Sequence, residues 1–241
     1  MKLAQRYLWQ VWDGYDGRSR GLELLPTVLS EACVRVLPVA GAGISMTLDE
    51  LRVPLGSSDG SAARVERLQT TLGEGPCLDA VAAAEPRMFC EAALAERWPV
   101  FHRRVITETP YRSIASVPLH PTETACVGAL DLYFTESEQV PLDDIAEVSA
   151  AIGSQISGLL FESPSKAFGA GVTMPIWLSG DSVVDRMNVW VAVAILVEHA
   201  ELTNPDALSA LRAYAFAHDL TLDEVADDLS SQRLLPAALL D

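Results

Sequence analysis

Residues 186–229, RMNVWVAVAILVEHAELTNPDALSALRAYAFAHDLTLDEVADDL, carry three short amphipathic helix patterns separated by two capped turns. Val189, Ala192, Val193, Leu196, Val197 and Ala200 recur at helical spacing and give a first helix one apolar face. Asn204-Pro205-Asp206 supplies a cap residue, a proline at the first helical position and an acid in the first turn of a second helix. Leu208, Leu211 and Ala215 line the core side of that helix. Thr221 with Glu224 three residues on forms a capping box, and Leu222, Val225, Ala226 and Leu229 line a third helix. Helices this short must share one small core, so the C-terminal part reads as a three-helix, all-α unit over residues 181–241.

Working outward, the preceding chain reads differently. Residues 1–21 open with a short helical lead-in that Asp13-Gly14 and Asp16-Gly17 break. From 22 onward the spacing predicts a helix to Pro38, two short strands at 40–47 and 50–56, and a helix over 61–72. A glycine and proline turn then opens a short helix at GEGPCLDAV. RMFC at 87–90 reads as a strand and Trp98–Thr107 as a helix. Ser113–Leu119 and Cys126–Phe134 are the clearest strands, joined by the polar loop HPTETA. The latter alternates, with Val127, Ala129, Asp131 and Tyr133 on one face and Gly128, Leu130, Leu132 and Phe134 on the other, which predicts a sheet with one covered side. Leu142–Phe161 is a long helix with Ile145, Val148, Ile152, Ile156, Leu159 and Leu160 at spacings of three and four. Residues 22–161 therefore form an α+β domain, an antiparallel sheet layered by helices. The Ser-, Gly- and Pro-containing stretch 162–180 is the linker, with Phe168, Ile176 and Trp177 as points where it packs down.

The net charge of -16 divides as +2 over residues 1–21, -11 over 22–165 (nine basic, twenty acidic) and -7 over 166–241 (four basic, eleven acidic). Such a surface repels a phosphate backbone on average, and DNA is not an expected partner. The longest apolar run near the C-terminus, Val189–Val197, is far below the roughly 20 residues of a membrane span. Polar Gln5, Arg6 and Gln10 interrupt any signal-peptide core, so no membrane association and a cytoplasmic location are expected. Cys33, Cys77, Cys90 and Cys126 have no CxxC spacing and no histidines in zinc-like order, which predicts reduced thiols and no metal site.

LQTTLGEGPCLDAV at 68–81, RWPVF at 97–101, SIASVPL at 113–119 and VGALDLYF at 127–134 resemble the actinobacterial type of GAF domain. The stretch beyond the linker resembles an ANTAR domain. Arg186, Val189, Ala192, Ala194, Leu196, Val197, Ala207, Leu211, Arg212, Ala215, Leu222, Val225 and Ala226 fall on its pattern. Val193 departs from it, standing where the family commonly has a basic residue, and Ala194 fills the small-residue place with an alanine where glycine is common. The resemblance implies a sensor domain coupled to an RNA-binding output that acts in transcription antitermination. Arg186, Arg212, His199 and His218 are then candidate RNA contacts and Tyr214 a stacking ring, with Phe216 a second ring or a core residue. It also implies a small-molecule ligand, for which Cys77, Trp98, His102 and Arg112 are the candidates. No residue selects among cyclic nucleotides, haem and tetrapyrroles, so the cofactor stays unassigned. The expected assembly is a homodimer through Leu142–Phe161 and the N-terminal helices, with hairpin RNA as a candidate partner.

The alternative is a divergent ANTAR protein without RNA binding, a dimeric protein-interaction or ligand-sensing module, for which the -7 charge and Val193 speak. A thiol enzyme would need two of Cys77, Cys90 and Cys126 together in a cleft. With no Ser-His-Asp or paired-carboxylate motif, no catalytic residue is assigned and the expectation is that the chain is not an enzyme.

Overall fold

The computed structural model describes residues 1–14, 21–48, 51–122, 125–137, 142–162, 177 and 181–239. Five strands form one sheet in the order β2-β1-β5-β4-β3, with β1 at Gly41–Leu48, β2 at Leu51–Ser57, β3 at Arg87–Phe89, β4 at Ser113–Leu119 and β5 at Gly128–Phe134. Every pairing is antiparallel. Helices α1 (Leu3–Gly14) and α2 (Leu25–Val36) precede the sheet, and α3 (Gly60–Leu72) and α4 (Pro76–Ala83) follow β2. After β3 come α5 (Glu91–Arg97), which is too short to show a period in the sequence, and α6 (Pro99–Glu108). β2 is an edge strand, the place where Pro54 is tolerated, and its pairing with β1 shifts register between Ile44 and Ser45, opposite that proline.

The expectation of a sheet with one covered side is corrected, because every residue of β4 and β5 is buried. Leu130, Leu132, Ala115 and Val117 meet Val28 and Leu29 of α2 together with Ile152 and Ile156 on one face. Ile114 and Tyr133 meet Val65 and Leu68 of α3, Trp98 at the junction of α5 and α6, and Phe101 of α6 on the other. Asp131 and Ser116 lie in this second face, and their polarity is answered inside the protein rather than by water.

The expected helix at Leu142–Phe161 is a helical run of α7 (Leu142–Val148), a π segment, α8 (Ser154–Ser157) and a second π segment. Ile145, Val148, Ile152, Ile156 and Leu160 are all buried in the sheet's core. Steps of four on a regular α-helix advance the stripe by about 40° each, and the wider π turns offset that drift. Leu159, which the spacing puts on the same stripe, is exposed. Trp177 sets its ring edge-on to Phe161 at 5.8 Å, whereas Phe168 and Ile176 lie outside the described residues.

Helices α9 (Asp181–Ala200), α10 (Asn204–Ala217) and α11 (Leu222–Ser230) surround a separate apolar core of Val189, Ala192, Leu196, Leu211, Ala215, Val225 and Leu229. The capping box forms as read, with Thr221 N donating to Glu224 Oε2 at 2.7 Å and Glu224 N to Thr221 Oγ1 at 3.2 Å. The cap of α10 is one residue earlier than expected. Thr203, not Asn204, accepts from Asp206 N at 3.3 Å, which moves Asn204 into the first turn. Among the described residues no helix is long and apolar enough to cross a membrane.

Candidate functional site

Two linked features stand out, a charged cluster inside the α+β domain and the seam on which the three C-terminal helices sit. Both are built on β2 and α3.

Arg52 points from β2 into the layer beneath α3 and is fully buried with Glu66 and Asp131. Its Nη1 donates to Glu66 O at 2.8 Å and to Thr70 Oγ1 at 3.4 Å, while Nη2 reaches Asp131 Oδ2 at 3.2 Å and the Glu66 carboxylate. Gln69 Nε2 donates to Asp131 Oδ2 at 2.6 Å, Ser116 Oγ donates to Oδ1, and Tyr133 donates its hydroxyl proton to Glu66. Gly43 leaves the space for this, since a Cβ there would stand 2.0 Å from a Glu66 carboxylate oxygen. One guanidinium thus faces two carboxylates, and an unshared negative charge in that interior is costly. Burial, with Glu66 adding like charge, pushes Asp131 up to about 7, against the pull of Arg52.

The sequence-derived ligand candidates distribute over three environments. Cys77 belongs to the edge of the charged cluster. It is buried, its amide donates to Gln69 Oε1 at 2.9 Å, and burial pushes its thiol well above the ordinary range. Trp98 packs edge-on against Phe89 at 4.9 Å, with the Arg97 guanidinium 5.0 Å from its ring, and is core. His102 Nε2 stands 3.6 Å from Glu91 Oε1. Arg112 Nη1 donates to Tyr111 O at 2.7 Å and to Thr109 O at 3.3 Å. Ser137 most of all, with His102 and Arg112 behind it, holds Glu91 below the usual carboxylate range. The cavities at α3's start, under α9 and beside α7 are lined by other residues.

The thiols are also spread. Cys90 follows β3, where Phe89 pairs with Ile114 at the start of β4, and Cys126 precedes β5, where Gly128 pairs with Leu119 at its end. A seven-residue strand separates them, about 20 Å. Cys33 and Cys77 are buried, and burial drives the Cys33 thiol to about 12. Alkylation of the native protein followed by mass spectrometry is expected to label the partly exposed Cys90 and Cys126 while Cys33 and Cys77 react only after denaturation. Rapid labelling of Cys77 in the folded protein would contradict this placement.

At the seam, Leu51, the first residue of β2, is buried in the core of the three helices. Val193 is 3% exposed and shares a cavity of about 220 Å³ with Leu51, Val189, Trp190 and Leu208. Val193, at the place where the family commonly has a basic residue, therefore faces the α+β domain, and Ala194 is exposed. Arg212 Nε donates to Thr70 O at 3.4 Å, Leu222 N donates to Thr71 Oγ1 at 3.2 Å, and Arg104 Nη1 pairs with Asp219 at 2.8 Å. His218 stacks on Tyr214 at 3.9 Å and its Nδ1 lies 2.9 Å from Tyr214 O. His199 is exposed in the last turn of α9, and the side chain of Arg186 lies outside the described residues. Phe216, weighed as a core residue, is 52% exposed. The sequence missed the charged cluster and the seam. A charge interrupting each of two apolar strands, Arg52 in LRVPL and Asp131 in GALDLYF, was the available signal for the first.

No family profile matches the chain, and no curated protein does. Among solved structures the chain is similar to the GAF domain of a phosphoenolpyruvate-protein phosphotransferase from Coxiella burnetii, at 16% identity over 68% of this chain and 98% of that one, with a TM-score of 0.49. It is also similar to the GAF domain of the Acinetobacter phosphotransferase, at 13% identity over 70% and 96% of the two chains, with a TM-score of 0.48. A third similar structure is free methionine-R-sulfoxide reductase from Neisseria meningitidis with its substrate, at 14% identity over 70% and 95%, with a TM-score of 0.47. The expectation that the chain is not an enzyme is corrected at this point. One of its structural neighbours is itself a reductase, so the lack of a catalytic pattern readable in the sequence does not carry that exclusion.

Proposed function

We propose that the chain is a signal-responsive regulator in which a GAF-type sensor domain carries an ANTAR-type output module that engages hairpin RNA in transcription antitermination. The observation that carries the regulatory part is the seam. β2 and α3 hold the buried charged cluster on one side and the C-terminal helices on the other, so an event inside the first domain has a direct mechanical path to the second. The RNA part is supported by the sequence pattern, whose Val189, Ala192, Leu196, Ala207, Leu211, Ala215, Leu222, Val225 and Ala226 all lie in the helices' shared core. A homodimer is part of the proposal, with the exposed Trp9 and Trp12 of α1 offering apolar surface for it.

A mobility-shift titration with hairpin RNA tests the reading. Binding that weakens steeply as salt rises is the expected result, because phosphate contacts release counterions. Absence of any shift at low salt overturns it. That outcome would favour a module without RNA binding that acts through protein contacts or ligand sensing. The burial of Val193 against the first domain, and the pairing of Arg104 with Asp219, are what speak for this second reading.

A further inference from the structure

We infer that the seam is an autoinhibitory clasp. The C-terminal turn of α3 acts as an intramolecular receptor for Arg212, and this contact occupies the guanidinium. The inference deepens the RNA reading and, in its RNA arm, rests on it.

The receptor has a defined construction. α3 ends at Gly73, which takes φ +69, and a Cβ at that position would come within 2.8 Å of the Arg212 Cζ. Glycine therefore serves both the left-handed cap and the close approach of the guanidinium. The last carbonyls of a helix carry unsatisfied acceptor capacity and a negative partial charge, and Arg212 brings a permanent cation to one of them, Thr70 O. One residue further, Thr71 Oγ1 accepts from Leu222 N, one of the donors that the start of α11 leaves without an intrahelical partner. The end of α3 thus takes a donor from α10 and supplies an acceptor to the start of α11. Arg104 and Asp219 pair beside them, and the apolar anchor is Leu51 in the core of the helices.

Two polar contacts of this clasp are individually weak: the bond from Arg212 to Thr70 O is long at 3.4 Å, and the ion pair at Asp219, 82% exposed, adds little stability. The clasp is also wired to the interior. Thr70 accepts from Arg52 through its hydroxyl and from Arg212 through its carbonyl, so a shift of the charged cluster moves the receptor. A phosphate group and the end of α3 then compete for the same guanidinium.

The test uses the full chain and a dicarbonyl reagent that modifies accessible guanidinium groups, read by peptide mass spectrometry with exposed Arg103 as the internal reference. Thr71→Val removes the acceptor for Leu222 and Leu51→Ala shortens the anchor. The first keeps the experiment decisive if the second fails to fold. In the unaltered chain Arg212 is expected to react at least about tenfold more slowly than Arg103, and in either variant to approach the Arg103 rate, with hairpin-RNA affinity rising about tenfold as the competent form gains population. Arg212 reacting as fast as Arg103 in the unaltered chain overturns the clasp. So does unchanged RNA affinity in a variant that exposes Arg212. Exposure gained on substitution, with RNA bound by no form, leaves the clasp standing and overturns the RNA reading alone.

Discussion

Replacing Arg52 with methionine is expected to cost about 3–5 kcal/mol, enough to unfold much of the α+β domain, because removing one partner of a buried ion pair leaves the other charge uncompensated. Here two acids lose the same guanidinium at once. Glu66 would keep only the Tyr133 hydroxyl and Asp131 only Gln69 and Ser116, all inside a layer with no access to water. Methionine matches the unbranched stem, so the loss reports the guanidinium rather than a large cavity. Urea denaturation of the chain and of Arg52→Met measures it, and the cycle with Asp131→Asn separates the charge from the packing. The double variant should recover part of the loss, since it removes one of the two stranded carboxylates. A single-variant loss below about 1 kcal/mol would mean that water or rearrangement satisfies these acids, and the cluster would then not hold the sheet to α3. Arg52→Lys should fall between the two, because one ammonium cannot reach Glu66 O, Thr70 and Asp131 as the fork does.

The three C-terminal helices were readable because their signals are local. The Thr221–Glu224 box spans three residues, and the apolar positions repeat within one helix. Cys126–Phe134 and Ser113–Leu119 were readable as strands for the same reason. What those strands face was not. Asp131, Ser116 and Tyr133 alternate with apolar residues as a solvated face would, yet Asp131 is met by a guanidinium 79 residues away and an amide 62 residues away, and Tyr133 by a carboxylate 67 residues away. Period-two alternation records polarity and not what satisfies it, so a sheet covered on both faces was read as covered on one. The seam joins Thr70 to Arg212 and Thr71 to Leu222 across 142 and 151 residues, with no spacing rule to announce it. Arg212 is a candidate RNA contact by resemblance, and in the fold its Nε donates to a helix carbonyl of its own chain.

Stability is expected to fall as pH rises from about 4 to about 7 through one identifiable group, Asp131. Its carboxyl would titrate near its ordinary value of 3.8 once the chain unfolds, while burial and the neighbouring Glu66 raise it to about 7 in the fold. Between those values the folded state holds a proton that the unfolded state has released, so unfolding becomes easier with each step upward in pH. The contribution is complete below about 4 and gone above about 7, and a separation of about three units corresponds to roughly 4 kcal/mol at most. The direction is opposite to that of a salt-bridged surface acid, because here the guanidinium is shared with Glu66 and the interior favours the neutral form of the second acid. Asp131→Asn is neutral at every pH and should remove this slope. Urea midpoints measured from pH 4 to pH 8 should show the variant losing ground to the unaltered chain at the acid end and closing the gap toward pH 8. Other titrating groups act on both proteins alike, so the difference isolates this one. Parallel profiles across that range would show that Asp131 is ionised in the fold throughout, and Arg52 would then be balancing two full negative charges instead of one.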